Sequence, residues 1–373
     1  MRELQDIVRG WAELRGRGQP VLLATVVATS GSTYRRPGAR LLLSAERWIA
    51  GGISGGCLER DVLQKAWWRT RDGPVVVSYD STSADDEETW TFGLGCNGRV
   101  DVLLERLPGG GETHPIEFIG RCLAGRRTGV MATVFRDGAG TRVGQRLVRD
   151  AMGTRSDLPA GAVRDQLLAL AEAALGEGTT RVGRVEAEGR ALEVLLEVIQ
   201  PPRSLVVFGT GQDAVPLVRL AVALGFHVTV VSNTSGGVPA ELFRDANVQL
   251  TASPSVIGEK LVLEQDSAVV VMTHNLGHDR GYLRFALEFG CSYVGVLGPR
   301  ARTERLLDEL RERGFSPTEQ QRASLYSPVG LNLAAEQPEE IALSILSEIQ
   351  ARFNGTDAQS LRLRRGPIHT RSS

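Results

Sequence analysis

The sequence predicts an α/β protein: an N-terminal α+β domain followed by a C-terminal Rossmann-like, doubly wound parallel sheet. Three observations predict it. Short apolar runs alternate with amphipathic helical stretches through the C-terminal part. A G-x-G-x-x-A string follows the first of those runs. Similar apolar strings recur in pairs before it.

In the N-terminal part, Val21–Thr29 reads VLLATVVAT and Val130–Phe135 reads VMATVF. Arg99–Glu105 reads RVDVLLE and Ala191–Glu197 reads ALEVLLE. A helical stretch lies between each pair of strands, Leu58–Trp68 in the first and Val163–Ala174 in the second. Two related α+β halves account for this pattern; a chance match of short strings is the alternative. Pro108–Glu112 is a Pro/Gly link between the halves. Pro201 and Pro202 mark the domain boundary, because a proline pair continues neither helix nor sheet. The expected organisation is therefore a domain over 1–200, a Rossmann-like domain over 201–353, and a loosely ordered polar tail over 354–373.

In the C-terminal part, Ser204–Phe208 is a strand. The helix after it runs to Leu224 and closes at Gly225. His227–Val231, Ser267–Met272 and Tyr293–Leu297 are the next strands, with Asp279–Phe289 and Ala301–Arg313 as helices. Pro338–Ile349 is a further helix, with proline in its first turn. Such alternation implies a parallel sheet covered on both faces.

Composition removes several function classes. A net charge of -1 argues against a general nucleic-acid binder and gives no attraction to an anionic membrane. No apolar core follows the charged residues of the N-terminus, and no apolar run approaches membrane-spanning length, so a cytoplasmic protein is expected. Four cysteines without a C-x-x-C pair suit neither a disulfide framework nor structural zinc. Cys122 and Cys291 sit in ordinary apolar surroundings and read as structural.

Two loops carry the candidate chemistry. The run Gly51–Glu59, GGISGGCLE, holds Gly52, Ser54, Gly55 and Gly56 directly before Cys57 at a helix start. Glycines there let the backbone approach a ligand, and the helix end favours an anion and a thiolate. The bland alternative is a tight turn with a packed cysteine. Upstream, Ser30, Gly31, Ser32, Thr33, Arg35 and Arg36 combine hydroxyls with two guanidinium groups suited to phosphate; a solvated turn is the alternative. Cys96, in FGLGCNG, is a second thiol in a glycine-dense turn.

In the C-terminal part, Gly209, Gly211 and Gln212 begin the G-x-G-x-x-A fingerprint. The acidic residue expected after the second strand is missing; the chain reads Val231-Ser232-Asn233-Thr234, which counts against ordinary NAD binding. His274 and His278 follow another strand, without a third residue to complete a metal site, so no metal is expected and capping by Asp279 reads better. Arg300 stands at a strand's carboxyl end, where it can meet a phosphate or simply open a helix.

The strings ATVVATSGSTYRRPGAR, GGISGGCLERDV and GLGCNGRVDVLLE resemble the N-terminal domain of the xanthine dehydrogenase accessory factor (XdhC/CoxI) family. VVFGTGQDAVPLVRLAVALGFHVTVV, VVVMTHNLGHDRGYL, GVLGPRARTERLLDELRERGF and SPVGLNLAAEQPEEIALSILSEI resemble its Rossmann domain. The resemblance covers nearly the whole chain. It implies a chaperone that binds the molybdenum cofactor, a molybdopterin in mononucleotide or dinucleotide form, supports its sulfuration and delivers it to an apoenzyme. The client would be of the xanthine dehydrogenase, aldehyde oxidase or CO dehydrogenase type, with sulfur from a cysteine desulfurase. It further implies that Cys57 touches the cofactor or carries sulfur, that Ser30–Arg36 and Gly51–Gly56 hold phosphate and pterin, and that Cys96 shares the pocket. Two departures stand out: Ser232-Asn233-Thr234 where relatives often carry Asp-x-Arg, and Cys96-Asn97-Gly98 where they often carry Cys-Gly-Gly. Three other readings remain: an NADP-dependent oxidoreductase, a sulfurtransferase cycling through a Cys57 persulfide, and a plain scaffold that only recruits the target enzyme. A homodimer is expected on general grounds.

Overall fold

The computed structural model describes residues 1–31, 33–80, 98–137, 141–187, 190–233 and 239–365. The chain divides into two compact units, Glu3–Pro201 and Pro202–Ser373, the latter joined by Met1–Arg2.

The first unit repeats one supersecondary pattern. Helix α1 (Arg2–Gly16) precedes strands β1 (Val21–Gly31), β2 (Arg40–Ser44) and β3 (Trp48–Gly51), then helix α2 (Cys57–Arg69) and strands β4 (Val75–Asp80) and β5 (Gly98–Leu107). The second run is α3 (Pro115–Ala124), β6 (Gly129–Arg136), β7 (Arg146–Asp150), β8 (Gly153–Ser156), α4 (Ala162–Glu177), β9 (Arg181–Ala187) and β10 (Arg190–Ile199). The two antiparallel sheets have the same order, β3-β2-β1-β5-β4 and β8-β7-β6-β10-β9. Both central pairings carry a bulge, between Val26 and Ala28 in β1 and between Glu193 and Val194 in β10. The halves expected from the sequence strings are thus one fold used twice.

Burial on both faces explains why the central strands read as continuous apolar runs. Leu22, Ala24 and Val26 join Leu58, Val62 and Ala66 of α2 in one core, while Val21 and Leu23 join Ile7, Trp11 and Leu14 of α1 on the other face. In the second half, Val130, Ala132 and Val134 pack with Leu167, Ala171 and Ala174 of α4, and Met131 packs with Phe118 and Cys122 of α3.

The halves meet around Val27, Leu103, Phe135 and Leu195, one residue from each central strand. Two buried ion pairs bind this seam. Arg40 Nη1 donates to Glu197 Oε1 at 2.6 Å, and its Nη2 donates to the other carboxylate oxygen. Arg146 Nη2 donates to Glu105 Oε1 at 2.5 Å. Each arginine also donates to a glycine carbonyl of its own turn, Gly38 at 2.8 Å and Gly144 at 3.0 Å.

The second unit contains β11 (Ser204–Phe208), α5 (Ala214–Ala223), β12 (His227–Ser232), β13 (Val248–Thr251), α6 (Ile257–Lys260), β14 (Ala268–Val271) and α7 (Leu276–Phe289). It continues through β15 (Tyr293–Val296), α8 (Arg300–Glu312), α9 (Glu319–Ala323), β16 (Leu325–Tyr326) and α10 (Pro338–Phe353). All sheet pairings are parallel, in the order β13-β12-β11-β14-β15-β16. This is the doubly wound Rossmann arrangement, with its switch point between β11 and β14. Leu205 and Val207 face the α5 and α10 layer, and Val206 and Phe208 face the α7 and α8 layer.

Candidate functional site

The glycine-rich loop joins β3 to α2, and Cys57 is the first residue of that helix. Gly51 adopts φ +82°, and a Cβ there would stand 2.1 Å from the Arg40 carbonyl oxygen, so only glycine permits this approach. Gly56, the N-cap, adopts φ +115°.

Glu59, in the first turn of α2, folds back under the loop. Its Oε1 accepts from the amides of Ile53 (2.9 Å) and Ser54 (2.7 Å), and its Oε2 accepts from the Gly56 amide (3.0 Å) and from the Ser54 hydroxyl. Ser54 Oγ in turn accepts from the Leu58 amide at 3.0 Å. A buried carboxylate therefore occupies the inner donors of the loop, in the position an external anion would otherwise take. Burial alone would raise the Glu59 pKa. The hydrogen bonds from Ser54 and the loop amides outweigh it and hold the carboxyl below its ordinary range. Glu59 stands at the helix position of a capping box, a legible signal whose partners the sequence does not reveal.

The arginine loop lies against this turn. Arg35 Nε donates to the Gly52 carbonyl at 3.1 Å, and its other arm pairs with Glu3. Thr33 Oγ1 donates to the Arg35 carbonyl at 3.2 Å. Arg36 and Tyr34 are exposed. Arg35, Gly52, Ser54, Gly55 and Gly56 are thus neighbours.

Ser30 and Gly31 belong to a different surface, the end of β1, where they pair with Arg99 and Gly98. A cleft of about 200 Å³ lies there, lined by Ala28, Thr29, Ser30, Arg99, Asp101 and Arg136. Asp101 accepts from Ser78 Oγ at 2.7 Å and Arg99 Nε at 2.9 Å, while Arg136 pairs with Glu193 at 3.0 Å. Ser32 and Cys96 lie outside the described residues.

In the second unit, Gly209 and Gly211 follow β11, and His274 follows β14, at the switch point. Gly209 has φ +133°, and a Cβ there would meet the Met272 carbonyl oxygen at 2.4 Å. Gln212 is exposed. His274 takes the left-handed conformation, φ +58°, with its Nε2 2.9 Å from Asp213 Oδ2. Asp213 Oδ1 is buried without a hydrogen-bond partner. Asn233, where the fingerprint calls for an acidic residue, hydrogen-bonds His278 through its side-chain nitrogen. Arg300 opens α8 and pairs with Glu304 at 3.4 Å.

The cap of α7 differs from the expectation. Asn275 is the N-cap, its side chain accepting from the His278 amide at 3.1 Å. Asp279 is buried in the first turn, accepting from Thr273 Oγ1 and from Arg302 Nη2, each at 2.6 Å. It ties the switch-point loop to α8 instead of capping α7. Cys122 and Cys291 are buried, and burial pushes each thiol up to about 12. Among the described residues no cluster of three or more His, Cys, Asp or Glu could hold a metal ion.

Comparison with known proteins places these features in context. The family described as XdhC Rossmann domain matches residues 205–349, and the one described as XdhC and CoxI family matches residues 14–80. A probable xanthine dehydrogenase subunit of Bacillus subtilis (strain 168) is 31% identical over 332 residues, covering 89% of this chain and 92% of that protein. The molybdenum cofactor insertion chaperone PaoD of Escherichia coli (strain K12) is 23% identical over 348 residues, covering 92% and 87%. A crystal structure described as that of a xanthine dehydrogenase from Bacillus halodurans matches with a TM-score of 0.72 and 28% identity, covering 95% of this chain and 98% of that one.

Proposed function

The chain belongs to the XdhC and CoxI family, and from that premise we propose that it binds the molybdenum cofactor and delivers it to a xanthine dehydrogenase-type apoenzyme. The observation that carries the reading is Cys57 at the first position of α2, on a turn braced from within by Glu59. A thiolate is a soft ligand suited to molybdenum and sulfur chemistry. The brace keeps the loop backbone in one conformation, so the residue at its exit is held ready without ordering on binding.

The surroundings fit such a cargo. Gly55 and Gly56 are exposed, and a Cβ on Gly56 would meet nothing within 4 Å, leaving room above the loop. The exposed Arg36 offers a guanidinium to a phosphate. Sulfuration of the cargo with sulfur from a cysteine desulfurase, assembly as a homodimer and action in the cytoplasm belong to the same proposal. Among the described residues no helix is long and apolar enough to cross a membrane.

The test is retention of molybdenum. Purified protein is incubated with molybdenum cofactor, passed over gel filtration and analysed for metal, alongside Cys57→Ala. Stoichiometric molybdenum that falls sharply in the variant supports the reading. No metal on either protein overturns it and turns attention to the crevice at Gly209.

A further inference from the structure

With the inner amides of the glycine loop taken by Glu59, recognition above the loop falls to the side chains around it. Two of these are large aromatic rings left in solvent. Tyr34 is 71% exposed and Trp48 is 49% exposed. Both lie beside the loop. A Cβ on Gly55 would stand 3.9 Å from the Tyr34 ring, and one on Gly52 would stand 3.8 Å from the Trp48 ring. A methyl at either position would be in ordinary van der Waals contact with the ring beside it, which puts one ring next to each of these glycines. Arg35, 3.5 Å from the same Gly52 position, is engaged with Glu3 and the Gly52 carbonyl, which leaves the rings as the groups beside the loop.

We infer that Tyr34 and Trp48 form an aromatic surface that takes the planar conjugated ring of the ligand by stacking. The loop beside Cys57 therefore holds a ring and not a phosphate. The inference rests on the reading above, in which the cargo carries a fused pterin ring. Stacking suits this place because it needs open ring faces and no free backbone donors. It also tolerates variation in the rest of the ligand, since it reads a π face and not a hydrogen-bonding edge. Tyr34 and Trp48 are positioning residues here, fixing the ring while other groups meet the metal end.

The experiment uses the full chain and 6-hydroxymethylpterin, which has the ring and no phosphate, with binding followed by quenching of tryptophan and pterin fluorescence. Wild type is compared with Tyr34→Leu, Trp48→Leu, Tyr34→Phe and Trp48→Phe, and with wild type in excess inorganic phosphate. The inference expects the leucine variants to weaken binding by about five- to a hundredfold, the range that one stacked ring supplies. The phenylalanine variants stay near wild type and phosphate does not compete. Leucine variants that bind as wild type does, displacement by phosphate, or no pterin binding to wild type overturn it. Unchanged pterin affinity with impaired transfer to the apoenzyme also overturns it, assigning the rings to a protein contact. Failure of the molybdenum-retention test with pterin binding intact would remove the delivery reading and leave the ring site standing.

Discussion

Arg40 and Arg146 hold the same place in the two repeats, and each reaches across the seam to the glutamate of the other half. Arg40 opens β2 and pairs with Glu197 on β10; Arg146 opens β7 and pairs with Glu105 on β5. All four side chains are at least nine-tenths buried. A buried charge left without its partner is penalised far more than the pair is rewarded. Glu197→Gln is therefore expected to destabilise the chain by about 3–5 kcal/mol, and Arg40→Met/Glu197→Leu to recover much of that loss. Urea denaturation of the three proteins checks this. A double variant no more stable than Glu197→Gln would show that the pair is not an interlock.

How much of this is legible in the sequence depends on the range of each signal. The strands β1, β6 and β11 stand out because burial on both faces makes them unbroken apolar runs. The recurring strings reflect a real duplication, visible in the matching sheet orders. Strands β2, β3, β7 and β8 are only four or five residues long, too short for a period to show. Helix α1 escapes notice although Ile7, Trp11 and Leu14 carry helical spacing, because charged residues are interleaved closely among them. The interlock is beyond reach, since Arg40 and Glu197 are 157 positions apart. At the candidate site, glycine density and the helix start mark the loop as a special turn. What the sequence does not convey is that a residue of the following helix turns back to fill the loop's amides.

That brace makes Glu59 a residue whose loss reaches the start of α2 through the loop backbone. Glu59→Gln keeps the size but replaces a charged acceptor with a neutral one, and is expected to cost about 1–3 kcal/mol. Molybdenum retention should fall with it if the loop conformation positions the thiol. Because the Glu59 pKa lies below its unfolded value, its stabilisation is complete above the ordinary carboxylate range and is lost as pH falls through the folded value. Wild type should thus approach the stability of the glutamine variant only in that acid window. Parallel stability profiles for wild type and Glu59→Gln down to pH about 3 would refute this.

His114 sets a second, higher pH window. It caps α3, its Nδ1 accepting from the Glu117 amide at 3.2 Å, and its ring lies 4.7 Å from that of Trp11. Burial lowers its pKa from the usual 6.5 to about 4. The unfolded chain then takes up a proton as pH drops below 6.5 while the folded chain does not. Stability should be full above that point and fall by roughly 3 kcal/mol by pH about 4, at about 1.4 kcal/mol per pH unit. His114→Asn retains a capping acceptor and removes the titration. The difference between the two stability profiles should slope across this window and flatten outside it.

The crevice of the Rossmann unit yields the last prediction. Fingerprint glycines ordinarily leave their face open for a pyrophosphate. Here a Cβ on Gly211 would stand 2.6 Å from Asp213 Oδ1, so a carboxylate already crowds that face. Oδ2 is held by His274, and Oδ1 is left without a donor. A diphosphate seated there would meet like charge at close range. Neither is there a carboxylate at Asn233 for ribose hydroxyls, that side chain being engaged with His278. ADP-ribose titrated calorimetrically into wild type should bind weakly, and Asp213→Asn should bind at least about tenfold more tightly, the effect of relieving roughly 1.4 kcal/mol of repulsion. Tight wild-type binding that the asparagine variant leaves unchanged would show that the carboxylate swings aside, and would return a nicotinamide nucleotide to the crevice.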